Sequence, residues 1–92
     1  SQTILVYTSR YSSMMKVKAT IDYNKNGSSV NVKASKVFLE APSGLNAKLN
    51  GSINIDYNSS TQRISGEASG SISYETPLPE SEGFRENISI IP

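Results

Sequence analysis

Residues 63–75 read Arg63-Ile64-Ser65-Gly66-Glu67-Ala68-Ser69-Gly70-Ser71-Ile72-Ser73-Tyr74-Glu75. Every even position is apolar or small, and every odd position is polar or charged. Successive side chains of a β-strand point to opposite faces, so a period of two predicts a strand with one buried and one wetted face. The same alternation runs through residues 15–23, where Met15, Val17, Ala19, Ile21 and Tyr23 share a phase. It returns at Leu45, Ala47, Leu49, Gly51, Ile53, Ile55 and Tyr57. No segment carries the 3.6-residue repeat and capping residues of a helix.

A further strand starts in phase at Val30, Val32 and Ala34, then changes phase to Val37, Leu39 and Ala41. A one-residue slip of this kind predicts a β-bulge, here near Ser35 and Lys36. Strands over residues 3–9 and 84–91 complete a set of six. Turn-forming residues separate them: residues 24–28 (Asn-Lys-Asn-Gly-Ser), 42–44 (Pro-Ser-Gly), 58–62 (Asn-Ser-Ser-Thr-Gln) and an acidic, proline-bearing loop over 77–83. Short connections favour antiparallel neighbours. The expected fold is all-β: about six antiparallel strands in a meander, forming a small barrel or a two-layer sandwich, as one domain over residues 1–92. Gly51, Gly66 and Gly70 fall at inward positions, where glycine allows bending and close approach of another backbone.

Ile21-Asp22-Tyr23-Asn24 recurs as Ile55-Asp56-Tyr57-Asn58. Each copy ends a strand and opens a hairpin, so shared turn chemistry accounts for the match more simply than duplication does.

Composition narrows the chemistry. The 92 residues include 17 Ser, 8 Asn and 5 Thr, and no Cys, His or Trp. Without Cys there is no disulfide, thiolate metal site or thiol catalysis. Without His the commonest general base and transition-metal ligand are missing. No apolar run is long enough for a membrane-spanning helix. The formal net charge of +1 hides an asymmetry: residues 1–50 hold seven bases and two acids, residues 51–92 two bases and six acids. A field of mixed sign does not favour nucleic-acid binding.

Asp22-Tyr23-Asn24-Lys25-Asn26-Gly27 matches the first six positions of a calcium-binding EF-hand loop, but the twelfth position is Lys33 where a bidentate Glu is needed, and the flanks read as strands. Glu67 and Glu75 share a polar strand face about 26 Å apart, too far for a carboxylate pair working on one glycosidic bond. No catalytic residue, metal ligand or cofactor is therefore expected. The candidate site is a patch for an anionic partner formed by Lys16, Lys18, Lys33 and Lys48, provided their strands are neighbours; lysines on outer strand faces also serve solubility and edge protection. Tyr23, Tyr57 and Tyr74 sit in core phase near strand ends, with Tyr7 and Tyr11 expected nearer the surface.

These readings converge on a non-enzymatic, secreted or cell-envelope β-domain, of a composition common in bacterial exteriors. It would act in binding or structure through a sheet face or an unpaired edge. Its partner would be a protein or an anionic glycan or envelope polymer. Two other classes fit the pattern: a small β-barrel carrying an apolar ligand, and a membrane-active or self-assembling protein built on the hairpin of residues 45–74.

Overall fold

A computed structural model describes all 92 residues as six strands and no helix: β1 (Gln2–Thr8), β2 (Lys16–Asn26), β3 (Ser29–Glu40), β4 (Lys48–Asn58), β5 (Arg63–Glu75) and β6 (Pro79–Ile90). They form two antiparallel three-stranded sheets, ordered β1-β2-β3 and β4-β5-β6. The sheets stack as a two-layer sandwich, with extents of 51 × 19 × 18 Å. The length follows from strands of 11–13 residues at about 3.3 Å each.

The barrel alternative is overturned. Neither β3 and β4 nor β1 and β6 are hydrogen-bonded, so neither seam closes. The physical reason is the connection over residues 41–47. It contains Pro42, Gly44 at φ +98° and Asn46 at φ +49°, and it carries the chain from one sheet to the other. One meander of six becomes two meanders of three.

The phase rule holds where it is strongest. Met15, just before β2, and Val17, Ala19 and Ile21 of the first sheet are fully buried, as are Ile64, Ala68 and Ile72 of the second. Each such isoleucine contributes roughly 1.5–3 kcal/mol by leaving water. Phe84, Ile88 and Ile90 of β6 close the core. Inward residues of the edge strands, such as Val37 on β3 and Ile53 on β4, are half-buried.

Three local features differ from the sequence expectation. First, the β3 bulge lies at Lys33, because Asp22 pairs with Ala34 and Tyr23 with Val32. Ala34 is thus exposed and Ser35 takes the inward place. Second, β6 begins at Pro79, so most of the expected acidic loop is strand. A proline is tolerated there as the first residue of an edge strand, where no ladder donor is needed. Third, the hairpin between β2 and β3 turns on Gly27 and Ser28 alone, with Gly27 at φ +64°, the left-handed first position that a two-residue hairpin turn needs.

The Ile-Asp-Tyr-Asn repeat falls on β2, the centre of one sheet, and on β4, an edge of the other. The two copies are not structurally equivalent, which fits shared turn chemistry.

Candidate functional site

Phase places Lys16 and Lys18 on the outer face of β2. Across β3 they pair with Glu40 and Phe38, and the next row pairs Thr20 with Lys36. Lys36 therefore belongs to this face, although sequence reasoning did not include it. Lys33 is exposed at the bulge on the same sheet, about four residues or 13 Å along from Lys18. Lys48 does not join them. It pairs with Ser73 on the outer face of the second sheet, because residues 41–47 change sheets. The four expected lysines thus divide three and one.

The charge halves seen in the sequence are the two sheets. Residues 1–40 carry six bases and two acids, +4; residues 41–92 carry three bases and six acids, −3. On the positive face Lys18 Nζ lies 2.8 Å from Glu40 Oε2. That hydrogen bond holds the Glu40 carboxyl below its ordinary range. Leu5, 57% exposed, and Phe38 flank Lys18 in the same cross-strand row. An open cleft of about 490 Å³ runs along this face over Thr20, Asp22, Ala34 and Lys36.

The string expected to resemble a calcium loop lies within β2 and its turn. Asp22, Asn24 and Asn26 alternate along one face of an extended strand, so they do not curl about a common centre as an EF-hand loop does.

A second polar centre was not anticipated. Glu82 is 5% exposed and faces inward from β6 opposite Ile72. Its Oε1 accepts from the Tyr7 hydroxyl at 2.5 Å and the Arg10 backbone N–H at 2.9 Å. Its Oε2 accepts from the Tyr74 hydroxyl at 2.8 Å and from the Ser9 hydroxyl. The Arg10 guanidinium stands 3.8 Å away and is largely exposed. Tyr7, stacked on Phe84 at 5.3 Å, brings β1 to this carboxylate. Ser9 and Arg10 bring the loop between β1 and β2. Glu82 therefore fastens the first sheet to the second along the β1–β6 seam.

Burial pushes the Glu82 carboxyl up, but the hydrogen bonds from Ser9, Tyr7, the Arg10 backbone and Tyr74 outweigh it and bring its pKa to about 2. A group held ionised with its lone pairs occupied is poorly suited to act as a general acid. Its four hydrogen bonds join β1 and the loop after it to β5 and β6. Burial, and then the bond to Glu82, push Tyr74 up to about 12 and raise Tyr7.

A pH dependence follows. The folded pKa of Glu82 lies below its ordinary 4.5, so its stabilisation is complete above about pH 4.5 and is lost as pH falls toward 2. The loss is on the order of 3 kcal/mol. Tyr74 acts at the other end: with a folded pKa above 10, folding weakens as pH rises from 10 toward 12. Urea unfolding followed by circular dichroism between pH 2 and 5 checks the acid limb; a flat profile there would contradict the assignment.

Beside this centre the Tyr11 ring packs tilted by 30° against Tyr74, centroids 5.2 Å apart, and Tyr11 is 54% exposed. It borders an open cleft of about 450 Å³ with Arg10, Thr76 and Glu80. No helix is long and apolar enough to cross a membrane. The apolar face of the β4–β5 hairpin packs against the first sheet.

A family model described only as "-like" matches residues 2–78. A crystal structure of a two-domain protein with unknown function from Bacteroides thetaiotaomicron superposes with a TM-score of 0.86 at 20% identity, covering 99% of this chain and 47% of that one. At that identity the likeness concerns the fold. The chain spans about half the length of that protein. No curated protein matches the sequence.

Proposed function

Since the chain belongs to the family whose model spans residues 2–78, described only as "-like", and has the fold of about half of a two-domain bacterial protein, we propose that it is a non-enzymatic β-sandwich module of a secreted or cell-envelope protein. It binds an anionic glycan or envelope polymer through the outer face of its first sheet. The observation that carries this reading is the segregation of charge by sheet, with Lys16, Lys18 and Lys36 on one face beside Leu5 and Phe38. Cations attract the polymer's carboxylates or phosphates, and the apolar row offers contact to the less polar side of a sugar ring. Lys33 extends the face at the bulge.

Polygalacturonate is a suitable probe. Binding followed by calorimetry should weaken with added salt, since exposed charges are screened beyond about 8 Å at physiological ionic strength. Lys16→Glu, Lys18→Glu and Lys36→Glu together should reduce affinity at least about tenfold, a loss of some 1.4 kcal/mol. Arg85→Glu, on the opposite face beside Ser69, should leave it unchanged. Equal loss in both variants would refute a face-specific site.

A further inference from the structure

The two sheets leave four edges, and they are guarded unequally. The β1 edge is short, seven residues, and is broken by a register shift between Leu5 and Tyr7. The β3 edge is interrupted by the bulge at Lys33. The β6 edge opens on Pro79 and carries Glu82, buried, and Glu86, half-buried, on its inward face. Short strands, bulges, prolines and inward charges are the devices that stop an edge from pairing with another chain.

The β4 edge has none of them. Its eleven residues pair with β5 in unbroken register, with no proline and no inward charge. Its inward Leu49, Ile53, Ile55 and Tyr57 remain only half-buried. Its charges, Lys48 and Asp56, both lie on the outer face near opposite ends of the strand. Neither takes part in an ion pair; the pairs formed are Arg10–Glu82, Lys18–Glu40 and Arg85–Glu67.

We propose that the β4 edge is a self-association surface: β4 of a second copy pairs with it antiparallel about a twofold axis at Ser52, joining two three-stranded sheets into one of six. In this register Lys48 stands opposite Asp56 of the second copy, and the reverse pair forms by symmetry. Asn50 meets Asn54, Ser52 meets itself, Leu49 meets Ile55 and Gly51 meets Ile53, so like faces meet throughout. Sliding by two residues leaves both charges opposite neutral residues. Sliding by one sets the polar face against the apolar one. Charge and phase together select this single register. It forms about nine backbone hydrogen bonds between the copies, and opposite charges facing each other across strands favour it further.

The edge proposal rests on reading the chain as a binding or structural module, and names the edge through which that module assembles. Sedimentation of the full chain from roughly 10 μM to 1 mM, the range suited to a small interface, should show the mass rising from 10.0 kDa toward twice that value. Lys48→Asp sets two acids opposite each other and Asp56→Lys two bases, so each variant alone should stay monomeric. An equimolar mixture restores both opposite-charge pairs and should dimerise. Ser52→Lys, with like charges at the axis, should also be monomeric. Circular dichroism establishes that every variant is folded. A wild-type chain that stays monomeric throughout, variants that associate like wild type, or a mixture that stays monomeric would each overturn the proposal. Polygalacturonate binding by monomeric Lys48→Asp reports separately on the module reading, because the lysine face lies on the other sheet.

Discussion

Glu82→Leu is expected to lower the free energy of unfolding by about 3–5 kcal/mol at pH 7. A domain of this size has only about 5–14 kcal/mol in total. The expected fall in melting temperature is of the order of 15–30 °C. The cost arises from what is left behind. Leucine fills the space but accepts nothing, so the hydroxyls of Tyr7, Ser9 and Tyr74 and the Arg10 N–H all lose their acceptor at once. Each buried donor left without a partner costs roughly 1–3 kcal/mol. Removing two of these donors should therefore rescue part of the loss. Glu82→Leu combined with Tyr7→Phe and Tyr74→Phe is expected to be more stable than Glu82→Leu alone, because two stranded hydroxyls are gone while Ser9 Oγ still accepts from the Tyr11 N–H. The acid limb between pH 4.5 and 2 should shrink in both variants, since its titrating group is gone. Urea unfolding of the three proteins decides the matter. If Glu82→Leu costs less than about 1 kcal/mol, the carboxylate is not the fastening between the sheets.

How much of this was legible in the sequence depends on the residue. Residues 63–75 and 15–23 declared their strands because their inward positions are Ile, Val, Ala, Gly and Tyr and their outward ones polar. The bulge was legible as a necessity but not as a position. Val30 and Val32 lie in one phase and Val37 and Leu39 in the other, yet the four residues between, Lys33, Ala34, Ser35 and Lys36, are small or polar and mark no site for the extra one. The first half of β6 was hidden for a different reason. Its inward positions are Glu80 and Glu82, so its alternation has no apolar signal. A buried carboxylate reads as a solvated one until its donors are known, and three of these, Tyr7, Ser9 and the Arg10 N–H, lie more than seventy residues away. One signal was available: the phase of Phe84, Ile88 and Ile90, run backwards, lands on Glu82. The lysine patch failed in part because strand order is not a local property. Seven residues between β3 and β4 move Lys48 to the opposite side of the molecule while leaving its own strand pattern unchanged. The same point governs the β4 edge, whose exposure depends on which sheet it borders.

The glycines of β5 carry the other large effect. A Cβ built at Gly66 would stand 2.0 Å from the Asn54 carbonyl oxygen and 2.8 Å from the Ile55 Cα. One built at Gly70 would stand 2.2 Å from the Asn50 oxygen and 2.5 Å from the Gly51 Cα, at a φ of +156°. All four of these atoms are backbone, so no rotamer change relieves the overlap. Alanine at either position must force β4 away from β5, disturbing the ladder that pairs Ile55 with Gly66 and Gly51 with Gly70. Gly66→Ala and Gly70→Ala are each expected to cost about 3 kcal/mol, at the upper end for overpacking because the obstacle is main chain. Gly83→Ala is the control. Its Cβ would meet nothing nearer than the Gly70 oxygen at 3.8 Å, and the lost chain flexibility of the unfolded state makes it neutral or stabilising by about 0.5 kcal/mol. The contrast separates two explanations for small residues at inward positions. If Gly66 and Gly70 were glycine only because the core has no room for a large side chain, alanine would fit at both with little penalty, as it does at outward-facing, exposed Gly83. If β4 must pass closer to β5 than a Cβ allows, Gly66 and Gly70 fail and Gly83 does not. Urea midpoints for the three variants at neutral pH distinguish these outcomes. Three similar midpoints would mean that the close approach of β4 is not required for the fold. A collapse confined to Gly66 and Gly70 would mean that the path of β4, and with it the exposure of its free edge, is set by two missing methyl groups on the neighbouring strand.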